Sequence, residues 1–312
     1  MTRPRSVVFG YHDIGVAGLD ELLATGDEVA LVVTHADRPD ENVWWRSVGE
    51  LADRHDVPHL VDPDLGSPDL AQRLRALAPD FIFSFTFRQL LPGQLLEIPR
   101  LGALNLHPSS LPKYRGRSPI NWVLVRGETE TGVTLHYMVE KPDRGDVVAQ
   151  RSFPIVELDT ALTLHRRATD EARLLFREAY PLLRERRAPR IRQDPAQASY
   201  FGGRKPGDGE IDWAWPARRI YDLVRAVTHP YPGAFTVHDG RRLFVWWGRP
   251  EDDRVGLEPG QLDVSSSALR VGTGRGALRL ERVQIEGEKE REAREWAATA
   301  AVRSGDRLGP ST

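Results

Sequence analysis

Apolar and polar positions alternate in blocks along the N-terminal half of the chain. SVVFGY (6–11) is a short apolar run, and VAGLDELLATG follows with helical spacing up to a stopping glycine at Gly26. VALVVTH (29–35) predicts a second strand. SVGELADRHD (47–56), closed by Pro58, and DLAQRLRALAP (69–79) predict helices. DFIFSF (80–85) and ALNLH (103–107) predict buried strands, and PINWVLVRGE a short helix from Pro119. Strands alternating with helices predict a parallel sheet covered on both faces, where ligands bind beyond the carboxyl ends of the strands. Asn105 and His107 stand at such an end, and their shared strand parity projects them to one side.

TGVTLHYMV and DVVAQRSFPI read as two more strands, with Asp143 in the turn between them. Residues 159–187 then predict one long amphipathic helix capped by Asp159. FGGRKPGDGE is a glycine-rich candidate linker, and the chain beyond it carries β signals. These are GAFTVHDGRRLFVWWG, with Asp239-Gly240 as a hairpin turn, and ALRVGTGRGALRLERVQI. The pattern predicts an α/β, Rossmann-like domain over 1–200. A smaller OB-like β-barrel domain is expected over 201–312, with a terminal helix and a mobile tail.

Composition narrows the function. A length of 312 residues favours two domains, and 40% hydrophobic with 28% charged residues fits a globular protein with a sizeable core. A net charge of -2 gives no general attraction to nucleic acid or anionic membrane. The absence of cysteine removes disulfides, thiol catalysis and thiolate-bound metal. MTRPRSVVFGYHDIG reads as a first buried strand rather than a secretory signal, and no apolar stretch approaches the roughly 18 residues of a membrane span. A cytoplasmic location is expected. GTGRG (272–276) lies between two strands and reads as a hairpin turn, since a dinucleotide fingerprint must lead into a helix. His55 and His59 have helical ligand spacing, but Pro58 breaks the helix between them. His12 and Asp13 are half a metal site at most, because adjacent residues rarely point the same way. The nine histidines show no ligand cluster, so no metal is expected. Trp44-Trp45 lies in a polar loop and is a candidate cover for a substrate pocket.

Singly, Asn105 and His107 also read as strand-end capping residues and Asp143 as a turn former. The flanking sequence weighs against that. HPSSLPKYRGRSPINW and ETGVTLHYMVEKPDRGDVVAQ resemble the 10-formyltetrahydrofolate-dependent formyltransferase family. The likeness covers most of the chain, is strongest over 80–150, and returns at YFGGRKPGDGEIDW and VRAVTHPYPGAF. Within the family the chain is most similar to the UDP-4-amino-4-deoxy-L-arabinose formyltransferases, through PKYRGR, NWVLV and GETETGVTLH. The implied form is stand-alone, without the decarboxylase domain often fused to them. One departure is Ser109-Ser110-Leu111-Pro112, where the family usually reads Ser-Leu-Leu-Pro; Ser110 adds a hydroxyl near the catalytic strand, with acceptor contacts at issue.

The resemblance implies 10-formyltetrahydrofolate as formyl donor and a catalytic trio of Asn105, His107 and Asp143. It also implies a folate pocket lined by Gln89, Leu90 and Leu91, with Val139, Glu140, Lys141, Pro142 and Asp143, and a ligand contact from Arg117. The trio suits amine attack on a formyl carbon. Asn105 offers a neutral amide donor to the developing oxyanion, His107 carries a proton, and Asp143 orients His107 directly or through water and favours its charged form. The basic loop 113–117 suits a negatively charged ligand. The acceptor is a small-molecule amine, with a sugar nucleotide favoured. A hydroxyornithine-type amino acid, methionyl-tRNA, a hydrolase releasing formate, a non-catalytic folate-binding module and a homo-oligomer all stay open. Against tRNA, the loop THADRPDENVWWRS (34–47) sets Asp37, Asp40 and Glu41 against only Arg38 and Arg46, whereas phosphate neutralisation dominates nucleic-acid affinity. Trp44 or Trp45 is available to stack on a nucleotide.

Overall fold

The structure is a computed structural model that describes residues 3–39, 41–251 and 256–309. The chain divides into two compact units. The first comprises Met1–Pro119, Glu130–Pro154 and His165–Gly202, and the second Ile120–Thr129, Ile155–Leu164 and Gly203–Thr312. A single cut at residue 200 therefore differs from the compact units by two short segments that belong with the second.

The first unit runs β1 (Arg5–Gly10), α1 (His12–Ala24), β2 (Glu28–Thr34), α2 (Val48–Arg54), β3 (His59–Val61), α3 (Pro68–Leu77), β4 (Phe81–Phe85), α4 (Gly93–Leu96), β5 (Gly102–His107) and β6 (Arg115–Gly116). The chain leaves this unit for α5 (Pro119–Val125), which falls in the second unit after Pro119. It returns in β7 (Glu130–Tyr137), β8 (Val147–Pro154), α6 (Ala161–Arg184, in this unit from His165) and β9 (Tyr200–Phe201). Seven strands form one sheet in the order β3-β2-β1-β4-β5-β7-β8. The first five are parallel, while β7 and β8 add an antiparallel margin. Because β1 lies between β2 and β4, the winding reverses there, which opens a crevice beyond the carboxyl ends.

Strand parity explains why both faces are covered. Ile82 of β4 joins Val7, Phe9, Leu31 and Val33 in a cluster sealed by Leu70 and Leu74 of α3. The alternate residues Phe81, Phe83 and Phe85 meet Phe176 and Tyr180 of α6 as edge-on ring pairs. Ser47 and Ser67 cap α2 and α3 by accepting from Glu50 N and Asp69 N, each at 3.2 Å. The start of α6 departs from expectation. Thr160 is the residue that accepts from Thr163 N, at 3.3 Å, while Asp159 receives the Thr163 hydroxyl at 2.9 Å. The cap is therefore one residue later than predicted.

In the second unit, α7 (Ala217–Val227) precedes β10 (Ala234–His238), β11 (Arg241–Glu251), β12 (Leu262–Val264), β13 (Leu269–Gly272), β14 (Ala277–Ile285), β15 (Arg291–Glu292) and α8 (Ala293–Thr299). The strands form an antiparallel sheet, β10-β11-β14-β13-β12, with β15 on β14. Asp239 and Gly240 turn β10 into β11 with φ of 47° and 75°, as a two-residue hairpin requires. GTGRG is the turn between β13 and β14. The expected mobile tail is corrected as far as Gly309. Gly305 N donates to Leu262 O at 2.8 Å and Leu308 N to Gly260 O at 2.9 Å, so this segment is anchored to β12 and the turn before it. Residues 310–312 lie outside the described residues. Among the described residues, no helix is long and apolar enough to cross a membrane.

Candidate active site

Register builds the site. In β5, Asn105 sits opposite His136 of β7, and His107 opposite Thr134. The β7–β8 turn then returns Asp143 to both imidazoles. Asp143 Oδ1 lies 3.7 Å from His107 Nδ1 and 3.6 Å from His136 Nε2. Its Oδ2 accepts from Gly116 N at 2.8 Å. The turn is tight: a Cβ on Gly145 would meet Tyr137 O at 1.8 Å, so only glycine fits. Gln193 pins the turn by donating to Asp143 O at 2.9 Å and Gly145 O at 2.7 Å, and the buried Arg115 holds the Gln193 carbonyl at 2.6 Å.

The backbone carbonyls fix which nitrogens carry protons. His107 Nε2 donates to Tyr114 O at 2.9 Å, which turns Nδ1 toward Asp143. His136 Nδ1 donates to Tyr137 O at 2.8 Å, which leaves Nε2 a lone pair in the neutral tautomer. That lone pair accepts from Asn105 Nδ2 at 3.2 Å. One amide N–H is thereby engaged, the amide plane is set, and the second N–H remains for a ligand oxygen. Burial of Asp143 favours the neutral acid. His107 and the Gly116 N–H outweigh burial together and hold the carboxyl far below its ordinary range. The arrangement is an ionised carboxylate between two imidazoles, beside an oriented amide donor.

The structure thus brings Asn105, His107 and Asp143 together and adds His136, which sequence reasoning passed over although it lies in the quoted TGVTLHYMV. Arg117 is exposed and follows the Gly116 that holds Asp143. Leu91 and Met138 pack into one core cluster, which anchors the segments bearing Gln89–Leu91 and Val139–Asp143. Beside them Leu90 and Val139 are 72% and 46% exposed. Glu140 and Lys141 are also exposed, and Pro142 is half-buried. Ser110 turns toward β7, where a Cβ on Gly132 would meet its hydroxyl at 2.5 Å. There its Oγ is buried with no hydrogen-bond partner.

Two expectations are corrected. Trp45 is not a free stacking face, since it stacks on His12 at 4.5 Å and donates to Asp37 at 3.2 Å. Trp44 likewise packs edge-on against His12. The histidines do form one candidate ligand cluster, because the fold brings His165 of α6 to His12 and Asp13, a long-range contact that spacing does not reveal. In the loop over 34–47, Asp37 accepts from Tyr11 and Glu41 pairs with Arg88 at 2.8 Å, while Asp40 lies outside the described residues.

The sheet, the switch point and this cluster define a class that the comparisons name. Residues 5–179 match the family Formyl transferase, and residues 204–301 match Formyl transferase, C-terminal domain. The chain belongs to the formyltransferase family of enzymes. Among solved structures, the N-formyltransferase from Helicobacter canadensis in complex with folinic acid and dTDP-3-aminofucose has a TM-score of 0.68 at 18% identity, covering 91% of this chain and 99% of that one. Glycinamide ribonucleotide transformylase 1 from Symbiobacterium toebii is 27% identical with a TM-score of 0.53, over 62% of this chain and 94% of that one. HypX from Aquifex aeolicus in complex with tetrahydrofolic acid has a TM-score of 0.65 at 18% identity, and this chain spans half of its length.

Proposed function

We propose that this enzyme moves the formyl group of 10-formyltetrahydrofolate to the amine of a nucleotide-linked amino sugar, with UDP-4-amino-4-deoxy-L-arabinose the first acceptor to test. The observation that carries the reading is the convergence of Asn105, His107 and Asp143 around His136 at the end of β5. The exposed Leu90 and Val139 fit a flat folate ring. Sugar N-formyltransferases among the structural neighbours, one of them bound to folinic acid and a dTDP-sugar, support both donor and acceptor class.

In this reading the acceptor nitrogen bonds to the formyl carbon and the bond from that carbon to N10 of the folate breaks. The amine gives up a proton and N10 gains one. The free N–H of Asn105 stabilises the oxygen as it becomes negative. His107 handles the proton at Nδ1, and the ionised Asp143 favours the imidazolium that forms.

The test is a panel of amines incubated with 10-formyltetrahydrofolate, followed by mass spectrometry of the N-formyl product and a formate assay without acceptor. Formylation of a sugar nucleotide with little formate release is expected. Formylation confined to methionyl-tRNA or hydroxyornithine, or formate release that ignores every acceptor, overturns the reading.

A further inference from the structure

A second group of imidazoles stands at the carboxyl end of β1. His12 and Asp13 open α1, and one ligand atom from each of His12, Asp13 and His165 lies within 4.8 Å of the others. His12 has φ of 64°, left-handed backbone that a residue with a Cβ seldom adopts, and this conformation sets two adjacent side chains toward one point. His12 Nδ1 accepts from Asp13 N at 2.9 Å and lies 3.8 Å from Asp13 Oδ2, so Nδ1 holds the lone pair of the neutral ring and an ion would take it in place of that peptide N–H. Arg46 holds Asp13 Oδ1 at 2.7 Å, and Oδ2 is the oxygen that remains.

His165 is the telling member. It is 6% exposed, and its Nε2 is buried with no hydrogen-bond partner. Ordinary core packing pairs such an atom, because leaving it bare forfeits its hydration without return. Edge-on packing against His12, at 4.3 Å between ring centres, supplies no such partner. Burial disfavours the charged form of both rings. Trp45 stacks on His12 and Trp44 packs edge-on against both rings, at 4.5 Å and 5.2 Å, which walls the group from solvent.

We propose that His12, Asp13 and His165 form a binding site for one divalent transition-metal ion of the zinc class. Two imidazoles and a carboxylate suit zinc, cobalt or nickel far better than magnesium or calcium, whose ligands are all oxygens. Bonds of about 2 Å place ligand atoms within ~4 Å of one another. The side chains need to close by less than about 1 Å, which small torsions of Asp13 and His165 supply. Three protein ligands leave a fourth position for water or a ligand group.

The test is titration of zinc into the chelator-stripped full chain by calorimetry, with cobalt as the optical probe. One ion per chain is expected, with cobalt absorption bands typical of nitrogen and oxygen ligands and a change in tryptophan emission from Trp44 and Trp45. His165→Gln and His12→Asn should each weaken binding at least about tenfold, with far-ultraviolet circular dichroism unchanged. Absence of saturable binding at one ion per chain, or equal affinity in both variants, overturns the site. If the histidine variants misfold, Asp13→Asn decides: weakened binding supports the site, and unchanged affinity overturns it.

Discussion

Two clusters of histidine and aspartate stand at strand ends of one sheet, with nearly the same residue types and opposite electrostatics. Around Asp143, the imidazole nitrogens that face backbone are satisfied by carbonyls, and the carboxylate meets two rings and a peptide N–H. Around Asp13, the rings face each other and the indoles, and one nitrogen has no partner. Partnering keeps the first carboxylate ionised and prepares the group to move protons. Burial disfavours the charged form of the second pair of rings, and His165 Nε2 is left bare to donate an electron pair. Residue identity alone distinguishes neither role; the partners that surround each group do.

The largest break in that comparison should come from His107→Ala. Turnover is expected to fall by roughly a hundredfold or more while formyl-folate binding survives. Steady-state kinetics with a folate-binding measurement check this, and turnover near the wild-type rate removes His107 from the chemistry.

Asp143→Asn sharpens the electrostatic half. Asp143 has its folded pKa depressed below the ordinary carboxylate value of about 3.9, so its contribution to stability is complete above that value and is lost as pH falls through the folded one. The stability gap between wild type and Asp143→Asn should be constant from pH 5 to 7, to within about 0.5 kcal/mol, and should shrink below about pH 4. Urea titrations across that range measure it. A gap that widens on acidification contradicts the ionised assignment.

A smaller effect is expected at His136. His136→Ala frees the Asn105 amide to rotate, so turnover should drop about tenfold with little change in donor KM. His136→Gln, which restores an acceptor oxygen, should recover part of the loss. Equal rates in both variants would show that the amide is oriented by something else.

The sequence makes the parallel strands legible because continuous apolar runs such as FIFSF have no other use in a chain of this composition. It also makes Asn105 and His107 legible, since two polar residues of one parity stand at a strand end and the flanking HPSSLPKYRGRSPINW weighs against a mere capping role. β3 escapes notice because three residues carry too little pattern. His136 escapes for a subtler reason. It is 1% exposed on a strand buried on both faces, where a lone polar residue looks like an interruption until its cross-strand neighbour is known. His165 escapes because its partners are brought near only by the packing of α6. Local periodicity reports strand and helix, and sidedness within them, but not which distant elements meet.

The hydrogen bond from Gly116 N to Asp143 ties the basic loop over 113–117 to the carboxylate of the proposed proton relay. Any acceptor that draws this loop toward itself alters that bond, and with it the proton affinity of the carboxylate. Substrate association and hydrogen-ion exchange with bulk water are then two faces of one equilibrium. Acceptor binding at acid pH, well below the ordinary carboxylate range, should therefore exchange a fraction of a proton with the medium, readable as a calorimetric heat that depends on the ionisation enthalpy of the buffer. Cutting the loop's hold would leave recognition and acidity to vary independently, so the Arg115–Gly116 peptide, whose N–H makes the bond, would be the coupling between what is gripped and the acidity of the carboxylate.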